Sequence, residues 1–159
     1  MNLQSNPHAE RPTGLGGGTS QTTGTAMNII YHLSYVVGLV FIIGETVKRG
    51  PGYFAINATT MFEDYVGGAV LIAAALVWHR RHRMAPTLMA AAWAYSVGGL
   101  FVPFFAHLEA ALRGYTMRPD QPYQDTASIA IKGVLWLVCL VCTYVSLRSV
   151  GRLAAGARR

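Results

Sequence analysis

Five ionisable side chains carry the chemistry this chain has to offer: Glu45, Glu63, Asp64, His107 and Glu109. Carboxylates together with an imidazole bind divalent cations or pass protons, and inside a membrane such groups are too costly to be incidental. All five are predicted near one membrane level, as an acidic rim. Spacing limits the site they can build. His107 and Glu109 are two residues apart, about 200° around a helix, so without local unwinding only one of them joins Glu45. Ser96 and His107, by contrast, come within about 20° of each other on a helix face, with Tyr95 close by. Pro103 lies between them and removes a backbone donor, which predicts a kink near residues 99–103 and a polar-lined pocket over 95–109. The candidate ligand-binding residues are therefore Glu45, Asp64, Tyr95, Ser96, His107 and Glu109. Their ligand would be a proton, a cation or a small apolar molecule. A plainer reading competes: the acids sit at the headgroup boundary and pair with Lys48, Arg49 or Arg113.

Other chemistries find little support. The sequence contains no Walker loop, dinucleotide fingerprint, zinc-binding His-Glu-x-x-His or nucleophile elbow. The glycine run Gly14 to Gly18 lacks the preceding strand and the lysine that phosphate binding requires. Cys139 and Cys142 lie three apart in an apolar run, where a thiolate is neither stabilised nor exposed, so they read as small packing residues. A metal site there would need further ligands, and the span supplies none. A haem needs two histidines at similar depth on facing helices. His32 and His107 are predicted at opposite ends, and His79 belongs to the cluster His79-Arg80-Arg81-His82-Arg83, which reads as an interfacial anchor. No metal or cofactor is assigned.

These side chains need elements to position them, and the hydrophobic pattern supplies four. Apolar stretches run over about 27–46, 64–79, 85–112 and 127–147, in a chain of 159 residues that is 52% hydrophobic. Hydrocarbon admits helices of about 17–25 mostly apolar residues, because unpaired backbone groups are prohibitive there. The predicted fold is all-α, a four-helix transmembrane bundle spanning 27–148. Gly50-Pro51-Gly52 stops the first span. Residues 53–62 are too few to cross and too apolar for a water loop, so a short interfacial or re-entrant segment is expected after the first span. Glu63-Asp64 then opens the second span against the positive helix end, and Pro86 suits the first turn of the third. Gly67-Gly68, Gly98-Gly99 and the stripe Ala90/Ala94/Gly98 remove side-chain bulk where helices approach.

Outside the spans the chain is polar or basic. Residues 1–26, rich in Gly, Thr and Ser, are expected to be disordered or loosely attached, and 149–159 form a basic tail. The first apolar run begins at Met27 without the pattern of a cleaved signal peptide, so it is expected to be retained. The formal charge is +6, from 11 arginines and 2 lysines against 7 acids. Most of these cations lie at span ends, which argues for helix anchoring rather than nucleic-acid binding. Arg80, Arg81, Arg83, Arg148 and Arg152 fall on the side of both termini, which is thereby predicted to be cytoplasmic (N-in/C-in) in a bacterial inner membrane.

The expected function follows by subtraction. With no soluble domain and too few spans for an inverted-repeat transporter, the chain reads as a non-catalytic membrane subunit or scaffold. Its partners are lipids and other membrane subunits or further copies of itself. The alternative is a small carrier or membrane enzyme built on the outward carboxylate and histidine site.

Overall fold

A computed structural model describes residues 18–115 and 126–156. The expected features of residues 1–17, of 116–125 and of Arg158 and Arg159 lie outside the described residues. The described chain is helical, with no β-strand: α1 (Gly18–Leu39), α2 (Glu45–Arg49), α3 (Phe54–His79), α4 (Ala85–Arg113) and α5 (Thr126–Gly156). A π-helical turn over Val40–Gly44 joins α1 to α2, and a 3-10 turn over Pro51–Tyr53 leads into α3. Four helical stretches are long and apolar enough to cross a membrane: Gly24–Val47, Pro51–His79, Ala85–Arg113 and Thr126–Gly156. The last has a mean hydropathy of 2.0, and only 17% of its most apolar stretch is buried inside the bundle. So much outward apolar surface needs hydrocarbon around it.

The breaks are where backbone chemistry puts them. Gly50 takes φ 74°, ψ 160°, ending α2, and Pro51 opens the next turn. Gly114, in the left-handed region, caps α4 by donating its N–H to Ala110. α4 itself runs through Pro103 as one helix.

The second span differs from its expected form. Residues 53–62 are not a separate connection; from Phe54 they belong to α3, interrupted only at Asn57, where φ is −151° and ψ 80°. The Asn57 side chain accepts the Thr60 N–H at 3.1 Å, which is N-cap geometry. Asn57 thus caps the long part of α3, and Glu63 and Asp64, expected to open the span, lie inside it. Two acids before an apolar run resemble a helix start; the cap lies upstream. The ends of the bundle also extend beyond the apolar runs, α1 from Gly18 and α5 to Gly156. Once a span has nucleated, each added residue closes another backbone bond.

The four long helices alternate in direction. Tyr31 meets His79 at one end, and His107 meets Lys132 towards the other. The core is small and shared by all four, with Met27, Leu71, Met89, Trp93 and Cys139 almost wholly enclosed. Two seams hold it. Between α1 and α3 the backbones nearly touch: a Cβ on Gly68 would lie 2.5 Å from the Gly38 carbonyl oxygen. Between α4 and α5 a ring fills the space instead, since a Cβ on Gly133 would meet Phe104 at 2.8 Å. Trp136 then donates from Nε1 to the Val97 carbonyl at 3.2 Å and stacks on Phe104. Without water to drive burial, such close contact is the main cohesion available to membrane helices.

The α3–α4 turn is tight. The Arg81 N–H bonds to Trp78 O at 2.9 Å and the His82 N–H to Val77 O at 3.3 Å, the paired bonds of a Schellman motif. Arg81 occupies its left-handed position at φ 52°, where glycine is usual. A side chain in that conformation costs about 1–2 kcal/mol.

Candidate functional site

Three of the candidate residues come together between α3 and α4. Asp64, Tyr95 and Ser96 line a small cleft with Glu63, Phe41, Gly67, Gly99 and Leu100, around a cavity of about 20 Å³. Each wall has a local cause. The Asn57 cap sets where the long part of α3 begins, and the π turn carries Phe41 to the cleft. Gly67 lets two rings approach, since a Cβ there would lie 3.3 Å from Phe41 and 3.6 Å from Tyr95. Ser96 is buried, and its hydroxyl donates to its own helix at Ala92 O, 3.1 Å away. Gly99 is the middle residue of α4, and its carbonyl loses the usual donor because Pro103 has no N–H.

The depth of this cleft changes the meaning of the acids. Glu63 lies six residues, or about 9 Å, past the Asn57 cap. Its Oε1 is 3.6 Å from where a Gly99 Cβ would sit, level with the middle of α4. Glu63 is exposed on the bundle surface, and among the described residues its side chain makes no ion pair or hydrogen bond. Asp64 is half-buried and does have a partner. A void of this size admits about one water molecule, whereas an organic ligand such as benzene needs roughly 150 Å³. The cleft has room for a single water and is too small for an organic ligand.

Glu45, His107 and Glu109 lie elsewhere. Glu45 pairs with Arg49 on α2 at 2.5 Å, and Arg49 also lies over the Tyr53 ring, 5.0 Å from its centroid. Glu109 pairs with Arg113 at 2.9 Å on the exposed end of α4. The His107 Nδ1 is 3.0 Å from the Lys132 ammonium of α5. Ser96 and His107 share a helix, yet Ser96 lines the cleft with α3 and His107 meets α5. The acids and histidine thus do not form one rim. Among the described residues no three His, Cys, Asp or Glu side chains are placed to hold a metal ion. Cys139 and Cys142 are buried free thiols.

Sequence reasoning missed a second feature. At the end of the bundle carrying the α3–α4 turn, a cavity of about 750 Å³ opens among Tyr31, Trp78, Arg81, His82, Arg83 and Leu153, with other residues of the same elements. The signal was the run from His79 to Arg83, which reads equally well as an anchor. Only the fold brings α1 and α5 against it.

The fold and these contacts define a multi-span helical membrane protein. Comparison with protein-family models, with curated proteins and with solved structures gave no match.

Proposed function

We propose that this chain is a non-catalytic subunit that packs, through its α3–α4 face, within a larger membrane complex or a homo-oligomer. The observation that carries this reading is Glu63, a carboxylate on the outer surface of the bundle at the level of the middle of α4. Acids at the centre of a span cost about 2.5–3.5 kcal/mol on insertion scales, and they usually face protein or water rather than lipid. A neighbouring helix with hydrogen-bond donors would remove that penalty. Beside it, Ala91, Ala94 and Gly98 leave a strip of exposed small residues on α4, rotated by roughly one residue step from Tyr95 and Gly99. Small residues of this kind let a second backbone approach. The arginines gathered with the α1 and α5 ends support a cytoplasmic placement of both termini in a bacterial inner membrane.

Native mass spectrometry after mild extraction tests this reading, with wild type beside Glu63→Leu. A partner or further copies should be retained by wild type and lost from the variant. Leucine suits lipid better than glutamate, so a monomeric wild type together with a more thermostable Glu63→Leu would overturn the proposal.

A second reading draws on the cleft itself. Asp64, Tyr95, Ser96 and a carbonyl without its helical donor surround room for one water, a setting suited to a proton-carrying role. Proton flux in proteoliposomes, wild type against Asp64→Asn, tests it. Wild-type flux no greater than that of empty liposomes ends this reading and leaves the subunit reading intact.

A further inference from the structure

The cavity at the basic end of the bundle has the makings of an anion site. Its volume of about 750 Å³ falls in the range of small-molecule sites. Arg81, His82 and Arg83 of the α3–α4 turn line it with Asn28 and Tyr31 of α1, the Tyr31 hydroxyl lying 3.3 Å from His79 Nδ1, while Trp78 and Leu153 add apolar surface. Among the described residues no carboxylate lines it. The described acids, Glu45, Glu63, Asp64 and Glu109, all lie on other parts of the bundle. The His82 Nδ1 accepts the Met84 N–H at 3.2 Å, so the neutral ring carries its proton on Nε2, the nitrogen left for a ligand.

Arg81 adds an independent argument. It holds a left-handed conformation, φ 52°, at a turn position where glycine would be relaxed. Among the described residues no carboxylate takes its guanidinium. A side chain kept against the preference of its own backbone points to a contact made beyond the fold. Residues with donor groups line the cavity from α1, at Asn28, and from the α3–α4 turn, at Arg81 and Arg83. A carboxylate takes its donors close to one plane, whereas a tetrahedral oxyanion uses donors from several directions. The apolar wall fits an organic remainder, and the cavity opens at a span end, the level of lipid headgroups.

We propose that this cavity binds a phosphate group, presented either by an anionic phospholipid or by a soluble phosphate ester. The site is separate from the α3–α4 face and does not depend on the subunit reading.

The test uses the full chain in nanodiscs, with Arg81→Gly, Arg83→Gln and Arg152→Gln as variants. Arg152 is exposed on α5 and does not line the cavity, so it reports diffuse surface charge alone. Phosphatidylglycerol retained from mixed phosphatidylcholine discs is counted by native mass spectrometry. Glycerol 3-phosphate is titrated by calorimetry into discs of phosphatidylcholine only. At least one probe should bind, and losing one charge-assisted contact should weaken it about tenfold in Arg81→Gly and in Arg83→Gln. Arg152→Gln should stay within about twofold, short of the effect expected of a lipid-attracting surface charge. Retention of phosphatidylglycerol without glycerol 3-phosphate binding assigns the lipid; Arg83-dependent binding of glycerol 3-phosphate assigns the soluble ester. Glycine relaxes position 81, so Arg81→Gly should melt no lower than wild type; if it does melt lower, Arg83→Gln decides alone. Equal losses in all three variants, or binding of neither probe, would overturn the proposal.

Discussion

The acids at the ends of the bundle and Glu63, level with the middle of α4, are handled by different means. Glu45 and Glu109 are each followed four residues later by an arginine, and each pairs with it, at 2.5 and 2.9 Å. Such pairs are settled by the helix itself, before any tertiary contact forms. Glu63 has Thr59 before it and Gly67 after it at the same spacing, so its own helix offers no cation. Another element, a ligand, a proton or a partner must accommodate it. An acid neutralised within one turn therefore says little about function, whereas an acid that local structure leaves open is informative. Glycines repeat the contrast. Gly68 lies in the middle of the α1–α3 seam against the backbone of Gly38, while Gly98 has nothing within 4 Å of its missing side chain.

The largest effect should come from breaking the middle at Gly68. An added methyl would lie 2.5 Å from the Gly38 carbonyl oxygen and 2.7 Å from Ile42, and backbone cannot swing aside as a side chain can. Overpacking of this kind costs about 1–3 kcal/mol, and separating the helices would also draw Phe41 away from the cleft beside Asp64. Gly98→Ala meets open space, and alanine favours helix by up to about 1 kcal/mol. Thermal unfolding of the chain separated from its partners in detergent should thus show Gly68→Ala well below wild type and Gly98→Ala at or above it. Equal shifts would mean that the close α1–α3 approach does not hold the bundle together.

The spans were legible because hydrocarbon imposes a length and a polarity that leave a long trace in the sequence. Their punctuation was local too: Gly50-Pro51 ends the first span, and Pro86 lies in the first turn of α4. The start of the second span was not legible. Glu63-Asp64 imitates a helix beginning, while the effective cap is Asn57, whose Oδ1 holds the Thr60 N–H. That shift moves two carboxylates from the start of the helix to its interior. Rotation was legible only in part. Ser96 and His107 do share a helix, but small residues such as Gly67 and Gly133 decide which neighbour each face meets, and they leave Ser96 by Asp64 and His107 by Lys132. Helix periodicity gives a face, not the helix opposite it. The basic cavity lay further out of reach, because its walls come from α1, the α3–α4 turn and α5.

The smallest effects should come from the end acids, and they are graded. Glu109 and Arg113 are 50% and 70% exposed in their side chains, so water screens their attraction, and an exposed pair of this spacing contributes about 0.3–0.5 kcal/mol. Glu109→Gln should leave the thermal midpoint nearly unchanged, and the remaining difference from wild type should vanish at about 1 M salt, where the screening length is near 3 Å. Glu45 and Arg49 are only 22% and 11% exposed. Glu45→Gln strands a more enclosed guanidinium and should cost about 1–3 kcal/mol, with little relief from salt. Neither change should alter subunit composition, since each removes a contact confined to one helix. If Glu109→Gln disturbed assembly as much as Glu63→Leu, the distinction between locally neutralised acids and the open one would collapse. The α3–α4 face would then lose its claim to be where this protein meets its neighbours.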